Sequence, residues 1–214
     1  MISIVTNTSK KIDGLTAITL PNKKSYADRH GYALHCFYFE YDNFNDNIVK
    51  LMNQYFQVMQ ESEITLTMGA DALFTNWRIK IEDVLKESDH VLMAKENINW
   101  WPVNDDVMIW RNTQESLSFY KRLIDDYEIW KKYPLRIQNH IWNLIVQGEA
   151  PIRLVDPVVM NQHPTKWQMG NWIVHLFGHA LDEKITKAKL FEDMWPGGEA
   201  TIKKQHDSNK PDVL

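Results

Sequence analysis

Residues Glu63 to Asn76, EITLTMGADALFTN, decide how this chain is read. Ile64, Leu66 and Met68 alternate with Thr65, Thr67 and Gly69, the period of two that marks a strand, and Gly69-Ala70 then lets the backbone turn before Asp71. The pattern places Asp71 at the carboxyl end of a buried strand. In open α/β sheets ligands gather at that edge, and a carboxylate held among apolar side chains is normally paired with a cation or a metal. On this stretch alone, an aspartate capping a strand-to-loop turn is the simpler reading.

The sequence on either side has the rhythm of an α/β domain. Ile2, Ile4 and Val5 predict a first strand, with Asp13-Gly14 as a turn signal in the loop behind it. In NKKSYADRHGY, Asn22 can cap a helix that Gly31 ends in the left-handed position, and Tyr32 to Phe39 reads as a second strand. Asn43 to Gln60 carries Ile48, Leu51, Met52, Tyr55, Phe56 and Met59 at helical spacing. After the Asp71 stretch, IKIEDVLK (79–86) fits either a helix or an edge strand. His90 to Ala94 and Val103 to Trp110 read as strands, the latter starting with adjacent Asp105 and Asp106. A helix is predicted over Thr113 to Trp130 with Thr113 as its cap, and another from about Leu135 to Val146. Short strands are predicted at Ile152 to Val155 and Trp172 to Leu176. The expectation is one domain over 1–196 and a polar, mobile tail over 197–214.

Composition narrows the class. Hydrophobic residues at 44% and charged residues at 24% exclude a largely disordered chain. The single cysteine, Cys36, cannot form an intramolecular disulfide, and no signal segment or run of eighteen apolar residues is present, so a cytoplasmic protein without a membrane anchor is expected. A net charge of −4 argues against a general nucleic-acid binder. Nine Trp, eight Tyr and eight Phe exceed ordinary packing needs; most belong in a core, but Trp100, Trp101, Trp167 and Trp172 lie beside the polar motifs, where rings can stack on an acceptor.

Four stretches in order resemble the galactosyltransferase family of yeast mannan and plant xyloglucan enzymes. They are NKKSYADRHGY (22–32), MGADALFTN (68–76), VNDDVMIWRN (103–112) with RIQNHI (136–141) downstream, and GNWIVHLFGH (170–179). Together they span roughly residues 20 to 185, and their order is worth more than any one of them. The resemblance implies a single α/β domain of the GT-A type, a Rossmann-like nucleotide-sugar-binding fold with a mixed central sheet flanked by helices. It implies transfer of a hexose or pentose from a nucleoside-diphosphate sugar, uridine before guanosine, to a saccharide or other hydroxyl acceptor, with retention of configuration. Carried over by position, Asp71 and His175 become metal ligands. Asn22, Lys23, Tyr26 and Ala70 fall where the nucleotide would lie, Asn104 to Asp106 where the donor sugar would lie, and Gly178 belongs to the final motif. Lacking an anchor, the chain resembles a compact soluble bacterial or viral member, which in a virus would work in the host cytoplasm.

Three positions depart from the family: Gly69 replaces the first acid of the metal motif, and Asn139 and Asn171 replace two others. A hard cation takes only one or two protein ligands and keeps phosphate oxygens and waters, so Asp71 and His175 are expected to suffice. Manganese, which accepts an imidazole better than magnesium, is the expected ion. Gly69 is expected to serve its backbone, through a positive φ or a close approach, so that Gly69→Asp destabilises. Lys23, Lys24, Lys50 and Lys184 can neutralise phosphates, Lys184 being placed to cover the leaving group, although each alone reads as a solvated surface charge. Without Gly178, His175 reads as a core histidine. Asp105 and Asp106 point to opposite faces of a regular strand, so only one is expected to face the sugar, as a base or a stabiliser of the oxocarbenium-like centre. Two further functions remain open: the same transfer onto a hydroxymethylated base in viral DNA, for which Lys121-Arg122, Lys131-Lys132 and Lys203-Lys204 supply charge, and a sugar-nucleotide-binding protein that has lost catalysis.

Overall fold

The computed structural model describes residues 1–40, 44–96 and 101–194. The predicted tail over 197–214 and Trp100 lie outside the described residues. Six strands form one mixed sheet in the order β2-β1-β3-β6-β5-β7. These are β1 (Ile2–Thr8), β2 (Ala33–Tyr38), β3 (Ile64–Met68), β5 (Val91–Lys95), β6 (Val103–Arg111) and β7 (Ile152–Val155). Only β6 runs against its neighbours; β1–β2, β1–β3 and β5–β7 pair in parallel. A separate antiparallel ribbon joins β4 (Ala72–Phe74) to β8 (Ile173–His175).

Registry explains the core. Ile4, Leu66, Ile109 and Leu92 stand side by side across four strands, all fully buried on one face. Met93, Met108 and Trp110 alternate onto the other face, where they meet Phe119, Tyr120 and Leu123 of α4 (Gln114–Asp125) and Ile141 and Leu144 of α6 (Arg136–Val146). Covering both faces explains why β3 is buried at every position, threonines included. Truncating a residue in the middle of such a row, Leu66→Ala for instance, costs about 2–5 kcal/mol.

Helix α1 corrects the expected start at Asn22. It begins at Asp13, carries Pro21 on its exposed side, and runs to His30, where Gly31 closes it at φ 71°. Its buried stripe is Leu15, Thr16, Thr19, Asn22, Lys23, Tyr26 and Ala27, which follows helical spacing but is largely polar. Hydrophobic periodicity therefore could not reveal its first turns. Residues 79–86 yield only the short helix α3 (Ile81–Val84). The helix expected from Thr113 breaks at Asp126 into α4 and α5 (Tyr127–Trp130), with Thr113 and Ser116 forming a reciprocal cap at the start of α4. Helix α2 (Phe44–Glu61) backs the sheet, and two helices not anticipated, α7 (Pro157–Met160) and α8 (Leu181–Met194), frame the ribbon. No helix among the described residues is long and apolar enough to cross a membrane.

Candidate metal and nucleotide site

The carboxyl ends of β1 and β3 open into a cleft of about 440 Å³, bounded by Asn7, Ala70, Asp71, Asp106, His175 and Lys184. The ribbon sets its register: Ala72 pairs with His175, and the Leu176 amide donates to the Asp71 carbonyl at 2.9 Å. Backbone bonds thus set Asp71 beside His175.

A third candidate ligand comes from β6. Met93 faces Met108 but Ala94 already faces Asn104, so Asp105, Asp106 and Val107 form a bulge against β5. Bulges re-aim side chains. Here the alternation expected of a regular strand fails, and both Asp105 and Asp106 line the cleft. One oxygen or nitrogen from each of Asp71, Asp106 and His175 lies within 4.8 Å of the others. The imidazole Nε2 is 2.8 Å from Asp106 Oδ2 and 3.3 Å from Asp71 Oδ1. Lys184, on α8, reaches Asp71 Oδ2 at 2.5 Å.

The electrostatics follow from this crowding. Burial alone would lower the pKa of His175, but the Asp106 and Asp71 carboxylates outweigh it and push it up to about 10. Burial works against ionisation of Asp71, yet His175 and Lys184 hold its carboxyl below the usual range. For Asp105, burial and then the neighbouring Asp106 charge outweigh the pull of His175 and push it up to about 7.

Would a cation fit? The 2.8 Å contact is an ion pair without hydrogen-bond alignment, and Asp106 Oδ2, closed off from solvent, has no hydrogen-bond donor among the described residues. An orphaned carboxylate oxygen beside a second carboxylate and an imidazole is a hard oxygen and nitrogen donor set, suited to manganese or magnesium. Asp71, Asp106 and His175 would hold it, one ligand more than expected.

Other expected site residues fall elsewhere. Asn22, Lys23 and Tyr26 are buried under the Asp71 loop and offer nothing to a ligand in the cleft. Thr19 Oγ1 donates to the Ala70 carbonyl at 2.6 Å, and Lys23 Nζ to the Ala72 carbonyl at 2.7 Å. Asn22 exchanges two bonds with the Phe74 backbone, and the Tyr26 ring stacks on Phe74. The α1 stripe is polar because it bonds Ala70 and the edge of β4 that β8 does not cover. Lys50 is exposed on α2 beside Tyr38 and Glu40, away from the cleft. Asn104 and Ala70 do border the cleft; Gly178, at φ 74°, turns the chain between Phe177 and His179, which also border it. Asn139 and Asn171 serve turns, accepting from the Leu135 and Gln168 amides. Trp172 is fully buried core and Trp167 packs edge-on against Phe191.

Sequence reading missed three participants: Asn7 at the end of β1, Gln138 on α6, and Asn161 behind His175. Asn7 also lines a second hollow of about 180 Å³. This hollow joins the cleft at Gly69, Asp105 and Asp106 and is otherwise lined by apolar residues of α2, β3, β6, α4 and α6.

No family model and no curated protein sequence matches the chain. Solved structures do. A glycosyltransferase involved in glycosylation of the major capsid of PBCV-1 superposes with a TM-score of 0.74 at 16% identity, over 88% of this chain and 98% of that one. The galactosyltransferase LgtC, in complex with donor and acceptor sugar analogs, gives 0.54 at 10% identity over 90% and 94%. A Drosophila β1,4-galactosyltransferase 7 mutant in complex with manganese, UDP-Gal and xylobiose gives 0.52 at 15% identity over 86% and 72%. The chain therefore has the GT-A fold.

Proposed function

We propose that this chain is a metal-dependent glycosyltransferase that moves a sugar from a nucleoside-diphosphate donor to a saccharide hydroxyl. The observation that carries the reading is the Asp71, Asp106 and His175 cluster at the mouth of a cleft on the ligand-binding edge of a GT-A sheet. Support for the partners comes from neighbours of the same fold, one bound to manganese, UDP-Gal and xylobiose and another to donor and acceptor analogs.

A divalent ion, when bound, supplies Lewis-acid stabilisation of the negative charge that builds on the departing diphosphate. The chain's own residues do the rest. Lys184 neutralises Asp71 here, and with Asp71 engaged by a cation its ammonium would be available to the diphosphate. Asp105, which stays out of the cation cluster, is the carboxyl group left for the sugar, either to stabilise positive charge at the anomeric carbon or to take a proton. The apolar hollow suits the flat faces of a nucleobase, with the Asn7 amide at its edge. Nucleotide contact is thereby assigned to Asn7 and the hollow instead of Asn22, Lys23 and Tyr26.

The imidazole ligand supports manganese over magnesium. Resemblance to the mannan and xyloglucan enzymes supports retention, a hexose or pentose, and uridine over guanosine. The test is calorimetric titration of UDP and GDP with and without manganese, followed by release of free sugar from the matching donor. Binding that is equal in the presence of chelator, with no metal-dependent release, would reject the reading.

A further inference from the structure

We infer that Asn104 and Asn161 form a relay of directed hydrogen bonds that commits His175 to presenting Nε2, and not Nδ1, to a divalent cation. Asn161 is on this view a positioning residue. The inference rests on the metal reading above and adds to it the device that orients the imidazole.

The direction of the relay is set by a donor that has no choice. The Asp106 backbone N–H donates to the Asn104 side chain at 3.1 Å, so the atom it meets is the amide oxygen. That puts the Asn104 nitrogen on the other side, where it donates to Glu96 Oε2 at 3.3 Å, an acceptor, as required. The same Asn104 oxygen lies 3.0 Å from the Asn161 side chain, which must therefore turn its nitrogen that way. The Asn161 oxygen then faces His175 Nδ1 at 3.0 Å. An oxygen at that position needs a hydrogen on Nδ1. Nε2, which faces both Asp106 and Asp71, is then the nitrogen that would exchange its proton for a cation.

Position and burial make the relay effective. Asn161 ends α7, its amide bonded to the Pro157 carbonyl, and the next residue pairs with β8 through Gln162 N to Ile173 O and His175 N to Gln162 O. Asn104, Asn161 and His175 are each at most 8% exposed, so water competes little for these bonds. The relay starts on the backbone of one cation ligand, Asp106, and ends on the ring of another, His175. Shifting the β6 bulge would disturb both at once.

Outer groups that orient a ligating histidine typically account for about 10- to 100-fold in metal affinity. The experiment compares wild type with Asn161→Leu, which removes both polar atoms, and Asn161→Asp, which keeps an acceptor for the Nδ1 proton. Manganese affinity is measured by electron paramagnetic resonance, and the imidazole nitrogens of the zinc-loaded protein by nitrogen-15 NMR. We expect Nε2 bound and Nδ1 protonated in wild type, about 10- to 100-fold weaker manganese binding by Asn161→Leu with broadening of its Nδ1–H signal, and most of the affinity retained by Asn161→Asp. Unchanged affinity and an unchanged Nδ1–H signal in Asn161→Leu would overturn the relay, as would an Asp variant as weak as the Leu variant. If the Leu variant does not fold, the wild-type spectrum still decides: ligation through Nδ1 overturns the inference. Wild type that binds neither metal rejects the metal reading itself, a separate outcome.

Discussion

Gly69 and Asp106 share a single position in space: a Cβ built on Gly69 would lie 1.8 Å from Asp106 Oδ2. The two are also joined through the backbone, the Gly69 amide donating to the Asp106 carbonyl at 3.0 Å. The acid that the resembled family places at residue 69 is thus supplied from the neighbouring strand. The reading that Gly69 leaves room for a close approach holds, but what approaches is Asp106, and the glycine has no positive φ.

This sharing predicts a compensating pair. Gly69→Asp should push Asp106 out of the cluster and weaken manganese binding about 10-fold or more, with a destabilisation of about 1 kcal/mol. The double variant Gly69→Asp with Asp106→Gly moves the carboxylate from one strand to the other and should recover most of the binding. Additive losses in the double-variant cycle would refute the shared position.

The adjacent acids should separate by phenotype. Asp106→Asn should weaken manganese binding, because it replaces a cluster ligand. Asp105→Asn should leave manganese binding intact and lower turnover by about 100-fold or more. Metal titration and single-turnover rates on the two variants decide it; a metal defect in both, or in neither, would be the wrong outcome.

The hollow beside β3 should govern the nucleotide and not the ion. Ile48→Trp, at the α2 side of that hollow, should weaken UDP binding about 10-fold while manganese affinity stays unchanged. Calorimetry of UDP at saturating manganese, and of manganese alone, is the check.

Lys23 should reveal itself in the pH dependence of stability. Burial lowers its pKa from 10.5 to about 8, against the opposing pull of the Asp71 and Asp106 charges. Between about 8 and 10.5 the unfolded chain holds this proton more tightly than the folded chain, so the contribution of Lys23 to stability should rise with pH across that window. The rise amounts to about 3 kcal/mol at most, from 1.36 kcal/mol per unit. Because His175, held at about 10, pulls stability the other way in both proteins, the check is the difference between thermal melts of wild type and Lys23→Met, which should shift in favour of wild type as the pH rises through this range.

Much of the chain was legible because its signals are local. The alternation around Leu66 predicted β3, Thr113 and Gly31 marked helix ends, and Asp71 stood out as a carboxylate among apolar residues. The mixed sheet expected for the resembled family is the sheet observed. The motif NKKSYADRHGY was recognisable, but its role was not: Asn22 and Lys23 look like ligand contacts until β4, which they hold, is in place. Only the tertiary structure could show that Asp106 fills the space above Gly69, because a bulge on one strand and a missing side chain on another are 37 residues apart and have meaning only when the strands pair. The same holds for the three side chains of the candidate cation cluster. Sequence sets which carboxylates and which imidazole exist, whereas strand registry and ribbon pairing set the few ångströms between them, and on those the chemistry depends.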